Sequence, residues 1–180
     1  MDRAAGGLQE EAVPAVSAAE AAVLAAAAQA EAGNDMRTKE FLGKLDHDRI
    51  VQAIRAVEAG TSAEVRVYVQ RGKLDGDALE VAQTRFHKLD MHKTEGRNAV
   101  LIFVAPRAHK FAVIGDKAIH EKCGEQLWQS VIDRMRAHFR NEKFSDALVE
   151  AIEEVGKALA AHFPRKGSDK DELPDDILEG

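Results

Sequence analysis

Apolar residues recur at helical spacing in several stretches of the chain. The first stretch runs from Leu42 to Val57, where Asp46 or Asp48 can cap the helix and Gly60 can end it. A second follows a cap at Asp75 or Asp77. Residues 116 to 122 fit one or two helical turns, and two longer amphipathic helices follow. The apolar positions of the helix after Asp75 or Asp77 are Leu79, Ala82, Phe86 and Leu89. Those of the two longer helices are Trp128, Val131, Ile132, Met135 and Phe139 in the first, and Phe144, Leu148, Ile152, Val155 and Leu159 in the second.

Three other stretches have the patterns of strands. In "AEVRVYVQ" (63 to 70), valines alternate with Arg66, Tyr68 and Gln70, which predicts a strand with one buried face. "NAVLIFVAP" (98 to 106) is almost continuously apolar, as is typical of a central strand covered on both faces. "KFAVIG" (110 to 115) follows after a short connection, so the two strands are predicted to form an antiparallel hairpin.

The order of these elements predicts an α/β protein. It is a small layered sandwich with a central mixed sheet, made of a parallel β-α-β unit plus an antiparallel hairpin strand, covered by helices. We assign this domain to residues 36–163. Residues 1–35 are an Ala-rich extension, predicted to be a marginal helix or disordered, and Met36 is an alternative start of the protein. Residues 164–180 have the composition of an acidic, solvated tail.

Composition and charge narrow the range of functions. The chain has 31 acidic and 25 basic residues and a net charge of -6, which argues against nucleic acid as a partner. It contains no apolar run long enough to span a bilayer, and the extension lacks the basic start and uninterrupted apolar core of a secretory signal. We therefore expect a cytoplasmic protein. Its single cysteine can form no internal disulfide.

Topology alone predicts a cluster of oxygen-bearing side chains. The starts of the first two strands and the end of the third should lie at one end of the sheet, which brings together Glu64, Glu95, Asn98 and Asp116. Carboxylate and amide oxygens are the ligands of hard cations, so these residues are a hypothetical site for Ca²⁺ or Mg²⁺. The alternative is that strand ends are polar because they meet solvent, with Asp116 capping the next helix. Ligands in open α/β sheets also usually bind at the opposite, carboxyl ends of the strands.

The segment "HEKCG" (120 to 124) attracts attention by residue type. It resembles the opening of a zinc-protease helix, but Gly124 stands where the second histidine is required. Cys123 has His120 on the same helical face as a potential base, but no third group to orient it, and an inert buried thiol is the favoured interpretation.

These residues together resemble the TPM domain family. "TSAEVRVYV" (61 to 69) is similar to the family's Thr-x-Gly-Glu-Ile-x-Val strand, "RNAVLIFVAPRAHKFAVIGD" (97 to 116) to its Asn-Gly-Val-Leu-Leu hairpin and glycine-bearing turn, and residues 144 to 155 to its closing segment. The resemblance implies an α/β sandwich. Some members of the family are acid phosphatases and some bind calcium. Carried over by position, it implicates Glu64, Asn98 and Asp116, although Ala63, Ala99 and Ala118 stand where the family favours glycine.

Two functions remain open from the sequence. The first is a non-catalytic binding module with a divalent-cation site, whose acidic strand ends and acidic tail contact a protein partner. The second is a metal-assisted phosphatase, for which no set of catalytic residues is evident.

Overall fold

A five-stranded mixed sheet forms the centre of the protein. The coordinates are a computed structural model that describes residues 25–29, 37–167 and 176–180. The strand order is β1-β4-β3-β2-β5. β2 runs parallel to β3 and β5, and β4 runs antiparallel to β3 and β1. The strands are β1 (Ala25–Gln29), β2 (Val65–Val69), β3 (Val100–Ala105), β4 (Lys110–Gly115) and β5 (Ile177–Glu179).

In the described part of the chain, five helices cover this sheet, and the predicted caps are in place. Asp46 accepts a hydrogen bond from the backbone N–H of Arg49, and Asp77 accepts one from Leu79, so each satisfies an otherwise unpaired donor at a helix start. The helices are α1 (Thr38–Gly43), α2 (His47–Glu58), α3 (Ala78–Lys88), α4 (Lys117–Arg140) and α5 (Phe144–His162). The predicted α/β fold with a mixed sheet is confirmed.

Gly124 interrupts α4. Its φ of 70° and ψ of -179° are not helical, so a short helical segment from Lys117 is followed by a longer one after the glycine. A positive φ is strained for residues with a Cβ, which is why glycine occupies this kink. The predicted division between residues 116–122 and a helix from Glu125 corresponds to this interruption.

The sheet has two unlike faces. The four-helix face, covered by α1, α2, α4 and α5, carries the larger hydrophobic cluster, which includes Val65, Val67 and Val69 of β2. The single-helix face is covered by α3 and carries a smaller cluster, which includes Tyr68 and, on β3, Leu101 and Phe103. The helix α3 crosses from β2 to β3 and thereby covers this second face.

The prediction that β2 buries only one of its faces is wrong. Arg66, Tyr68 and Gln70 were expected to face solvent, but all are buried. Arg85 of α3 lies over the Tyr68 ring at 5.1 Å and donates to Gln70 Oε1 at 3.3 Å. Alternation of polar residues therefore marked a covered face, on which Arg85 of α3 contacts Tyr68 and Gln70.

Both flanking segments also differ from their predictions. Residues 25–29, assigned to a marginal helix or to disorder, form strand β1, and residues 177–179, assigned to a solvated tail, form strand β5. Each pairs with a sheet edge whose N–H and C=O groups would otherwise lack a backbone partner. The remaining predicted parts, 1–24, 30–36 and 168–175, lie outside the described residues.

Candidate divalent-cation site

The register of the sheet places the backbones of Glu64, Asn98 and Asp116 at one end of the sheet. Val65 is level with Val100, and Val100 with Gly115. The N–H of Val100 donates to the carbonyl of Glu64 at 2.7 Å. The N–H of Asp116 donates to the carbonyl of Ala99 at 2.9 Å, which fixes Asp116 at the same end of the sheet.

Asp116 is a buried carboxylate with two structural roles. It is 1% exposed and accepts a hydrogen bond from the N–H of Lys117 at 2.7 Å, where it caps α4. Its other partner is the Arg97 guanidinium, with Nε 3.0 Å from Oδ2 and Nη2 3.3 Å from Oδ1. Because the Arg97 side chain is 54% exposed, water and salt can compete for this ion pair. A cation at Asp116 must therefore displace or rearrange Arg97.

Asn98 supplies a buried polar atom at this end that lacks a hydrogen-bond donor in the part of the chain that the structure describes. The residue is 1% exposed, and its Nδ2 donates to the Ser62 carbonyl at 3.1 Å and to Ser62 Oγ at 3.2 Å. Its Oδ1 is buried, and no donor among the described residues reaches it. Such an acceptor costs about 1–3 kcal/mol unless something binds to it. An amide oxygen is also a ligand that Ca²⁺ accepts.

Glycines allow close packing around these residues. A Cβ at Gly96 would lie 2.8 Å from Asn98 Oδ1, so a side chain there would displace the amide. A Cβ at Gly115 would overlap the ring of Trp128, which is the only tryptophan of the chain. The indole therefore packs directly beneath the residue that precedes Asp116 and can report changes at this end of the sheet.

The two glutamates differ in their surroundings. Glu64 is 4% exposed at the start of β2. Glu95 is exposed, in the loop between the 3-10 turn Met91–Lys93 and β3. Within the described ranges, no three His, Cys, Asp or Glu side chains converge as a metal-binding group. A cation at this end would thus depend on two buried carboxylates, the Asn98 amide and further backbone or water oxygens.

The "HEKCG" segment lies on the first part of α4 and gives no sign of reactivity. Burial raises the pKa of the Cys123 thiol, against a smaller opposing effect of the Lys122 charge. A raised pKa keeps the thiol protonated at neutral pH and makes it a poor nucleophile. Glu121 lies 3.8 Å from the Lys117 ammonium in an exposed helical pair. These contacts favour packing and surface roles for the segment.

Sequence reasoning missed the roles of Arg97 and Ser62. In the sequence, Arg97 is only the last residue of a mixed basic loop that leads into β3. In the structure it has a φ of 48°, and its side chain pairs with Asp116. An isolated arginine in a loop carries no signal for such a turn. The contact between Ser62 and Asn98 depends on the pairing of β2 with β3, which local sequence does not encode.

Comparison with known proteins gives a family match and several similar solved chains. The family described as TPM domain matches residues 36–158. A solved structure, the NMR structure of BA42 protein from the psychrophilic bacteria Bizionia argentinensis sp. nov., is similar with a TM-score of 0.70 and 37% sequence identity. The similarity covers 74% of this chain and 92% of BA42. Among curated proteins, none matches. Among the described residues, no helix has the length and apolarity needed to cross a membrane.

Proposed function

Since this chain belongs to the TPM domain family, we propose that it is a non-catalytic binding module with a divalent-cation site formed by Glu64, Asn98 and Asp116. The observation that supports this proposal is the buried Asn98 Oδ1, which accepts no hydrogen bond from the described residues. Two buried acidic residues lie at the same end of the sheet. A hard cation would satisfy this acceptor and balance the carboxylates in one step. Glu95, which is exposed, would act through water.

The proposed site favours Ca²⁺ over Mg²⁺ and binds it weakly. Ca²⁺ accepts six to eight oxygens in irregular geometry, whereas Mg²⁺ requires near-ideal octahedral geometry and loses its water reluctantly. Arg97 competes for Asp116, and only two of the proposed ligands, Glu64 and Asp116, are buried carboxylates. We therefore expect a dissociation constant of about 10⁻⁴ to 10⁻³ M, as in weak extracellular calcium modules.

A titration with CaCl₂ and with MgCl₂ tests this proposal. At about ten times the dissociation constant, Ca²⁺ should stabilise the fold by about 1.4 kcal/mol, which corresponds to a melting temperature raised by about 3–5 °C. Trp128 fluorescence should change over the same concentrations, because the indole packs against Gly115. Asp116→Asn should abolish both responses. Asp133→Asn, an exposed acid on α4, is the matched control and should leave them unchanged.

Removing the competing guanidinium gives a second, opposite expectation. Arg97→Gln should tighten Ca²⁺ binding several-fold, because the Asp116 carboxylate then has no cation to exchange. The proposal would be contradicted if neither Ca²⁺ nor Mg²⁺ changed the melting temperature or the Trp128 fluorescence of the wild-type protein. It would also be contradicted if Asp116→Asn kept the response.

The alternative is a metal-assisted phosphatase. It is favoured by the half-exposed Arg97 guanidinium and the amino end of α4, both of which suit a phosphate, beside the carboxylates that would hold the metal. With p-nitrophenyl phosphate and added Ca²⁺ or Mg²⁺, the binding-module proposal expects no hydrolysis above buffer. Hydrolysis lost in Glu64→Gln and Asp116→Asn, and kept in Asp133→Asn, would establish the phosphatase instead.

A further inference from the structure

Strand β5 occupies the outer edge of β2 as a short extended peptide. Ile177 is level with Val67, Leu178 with Tyr68 and Glu179 with Val69. Beyond the strand, the N–H of Arg71 donates to the Gly180 carbonyl at 2.7 Å, and the N–H of Gly180 donates to the Val69 carbonyl at 3.3 Å. The backbone of β2 thus holds this segment by the main-chain bonding of an added strand.

Side chains of the segment are recognised separately on each side of the sheet. Ile177, 7% exposed, enters the large cluster of the four-helix face, and Leu178 packs against the cluster of the single-helix face. Glu179 pairs with the Arg71 guanidinium, whose Nε is 2.9 Å from Oε2. Asp176 Oδ1 lies 3.1 Å from His47 Nε2. The edge therefore selects an acidic residue, two apolar residues and another acidic residue in succession.

The edge and its occupant come from different parts of the chain. β2 lies inside the region that matches the TPM domain, residues 36–158, whereas β5 lies beyond it. The eight residues 168–175 separate β5 from the rest of the described chain. The groups that hold the segment, including Arg71 and His47, all belong to the domain. An edge of this kind, once vacated, exposes unpaired N–H and C=O groups and is a template for another strand.

We infer that the β2 edge is a peptide-binding site and that residues 176–180 are its built-in competitor. Its ligand is an extended segment of a partner protein with the order acidic, apolar, apolar, acidic. The site lies at the opposite end of β2 from Glu64, so the inference does not rest on the proposed cation site. It also reassigns the acidic tail from a contact surface for a partner to a segment that the partner replaces.

Tethering sets how strongly the internal segment competes. A segment on a short connection has an effective concentration of about 1 mM at its own site. A free peptide with a dissociation constant of about 0.1 mM would therefore bind about tenfold more weakly while the internal segment can dock. Weakening the internal strand should reveal the site without altering the groove.

The test uses the full chain and a fluorescein-labelled peptide of residues 174–180, PDDILEG. Ile177→Asp places a charge where the apolar side chain is buried and should release the internal strand. In this variant the peptide should bind about tenfold more tightly than in wild type, measured by fluorescence polarisation. A peptide with aspartate in place of its isoleucine is the control and should not bind. Hydrogen exchange at the Arg71 amide should speed up in the variant and slow down again with peptide.

Exposed charges give a second test that does not disturb the core. Glu179→Lys breaks the pair with Arg71 and should also increase peptide binding over wild type. Adding Arg71→Glu to Ile177→Asp should weaken binding of the natural peptide, and a peptide with lysine in place of glutamate should restore it.

Three outcomes would overturn the inference. The first is equal binding of natural and control peptides, and the second is no binding to Ile177→Asp while circular dichroism shows it folded. The third is a wild-type dimer that forms with rising concentration and is lost in Ile177→Asp, because the edge would then belong to a second copy of this chain.

Discussion

The two faces of the sheet differ in the polarity of the side chains that they bury. Towards the four-helix face, β2 presents only valines, at positions 65, 67 and 69. Its alternate positions lie towards the single-helix face, where Arg66 and Gln70 are buried beside Tyr68. A face covered by several helices can exclude polar groups. A face covered by one helix keeps some, and Arg85 of α3 meets Tyr68 and Gln70 there.

Because of this difference, we expect the two faces to respond differently when a buried side chain is made smaller. Buried apolar contacts on the four-helix face connect α1, α2, α4 and α5 into one cluster, so each residue is held by neighbours on several elements. On the single-helix face, α3 is the one long helix that must move for the packing to adjust. We expect the same loss of side-chain volume to cost more on the first face than on the second.

Neighbouring residues of β3 test this comparison most strongly. Ile102 faces the four-helix side and Leu101 the single-helix side, and both are fully buried. Each substitution to alanine should cost about 2–5 kcal/mol, with Ile102→Ala about 1 kcal/mol more costly because α3 can settle into the cavity left by Leu101→Ala. Urea unfolding followed by Trp128 fluorescence measures both. Equal costs, or a larger cost for Leu101→Ala, would contradict the proposed difference between the faces.

A glycine on α5 tests how tightly the four-helix face is packed. A Cβ at Gly156 would lie 2.8 Å from Val57 Cγ1 of α2, closer than packed carbon atoms approach. Gly156→Ala should therefore destabilise the protein by about 1–2 kcal/mol, even though alanine is the better helix former.

The sign should reverse when the neighbour is made smaller. In a Val57→Ala background, Gly156→Ala should stabilise the fold by up to about 1 kcal/mol. The overlap with both γ carbons is gone, the remaining Cβ at 3.1 Å needs to shift by only a few tenths of an ångström, and the helix propensity remains. Thermal or urea unfolding of the four proteins gives the coupling. An additive result would mean that α2 and α5 are free to move apart.

Much of the fold was readable from the sequence because its signals are local. The caps at Asp46 and Asp77, the crossover helix and the hairpin each depend on residues near one another in the chain. Edge strands β1 and β5 were missed because five residues of an alanine tract and three of an acidic tail carry no strand pattern. What makes them strands is an edge formed by distant residues.

The candidate site was predictable only to the level of topology. The order of strands brings Glu64, Asn98 and Asp116 to one end of the sheet. The pairing of Arg97 with Asp116 depends on a positive-φ turn, and the buried amide oxygen of Asn98 depends on Ser62 holding the other side of that amide. Such details follow from packing between elements, and no residue pattern specifies them.

The smallest expected effect concerns Tyr68, whose pKa reports on the surroundings of the single-helix face. Burial raises its pKa above the usual value near 10, against a smaller lowering by the charge of Arg85. The folded protein therefore keeps this proton to a higher pH than the unfolded chain does. The corresponding stability is complete below about pH 10 and is lost as the pH rises through the folded-state pKa.

Ultraviolet titration of the phenolate is clean because the chain has one tyrosine. Arg85→Gln should raise the Tyr68 pKa further, because it removes the neighbouring positive charge. Tyr68→Phe should remove this residue's part of the stability loss above about pH 10. The backbone of Gly180 lies against the Tyr68 hydroxyl, so Ile177→Asp, by releasing β5, should move the pKa back towards its usual value. A Tyr68 pKa insensitive to both changes would mean that neither the Arg85 charge nor the cover provided by β5 influences this phenol.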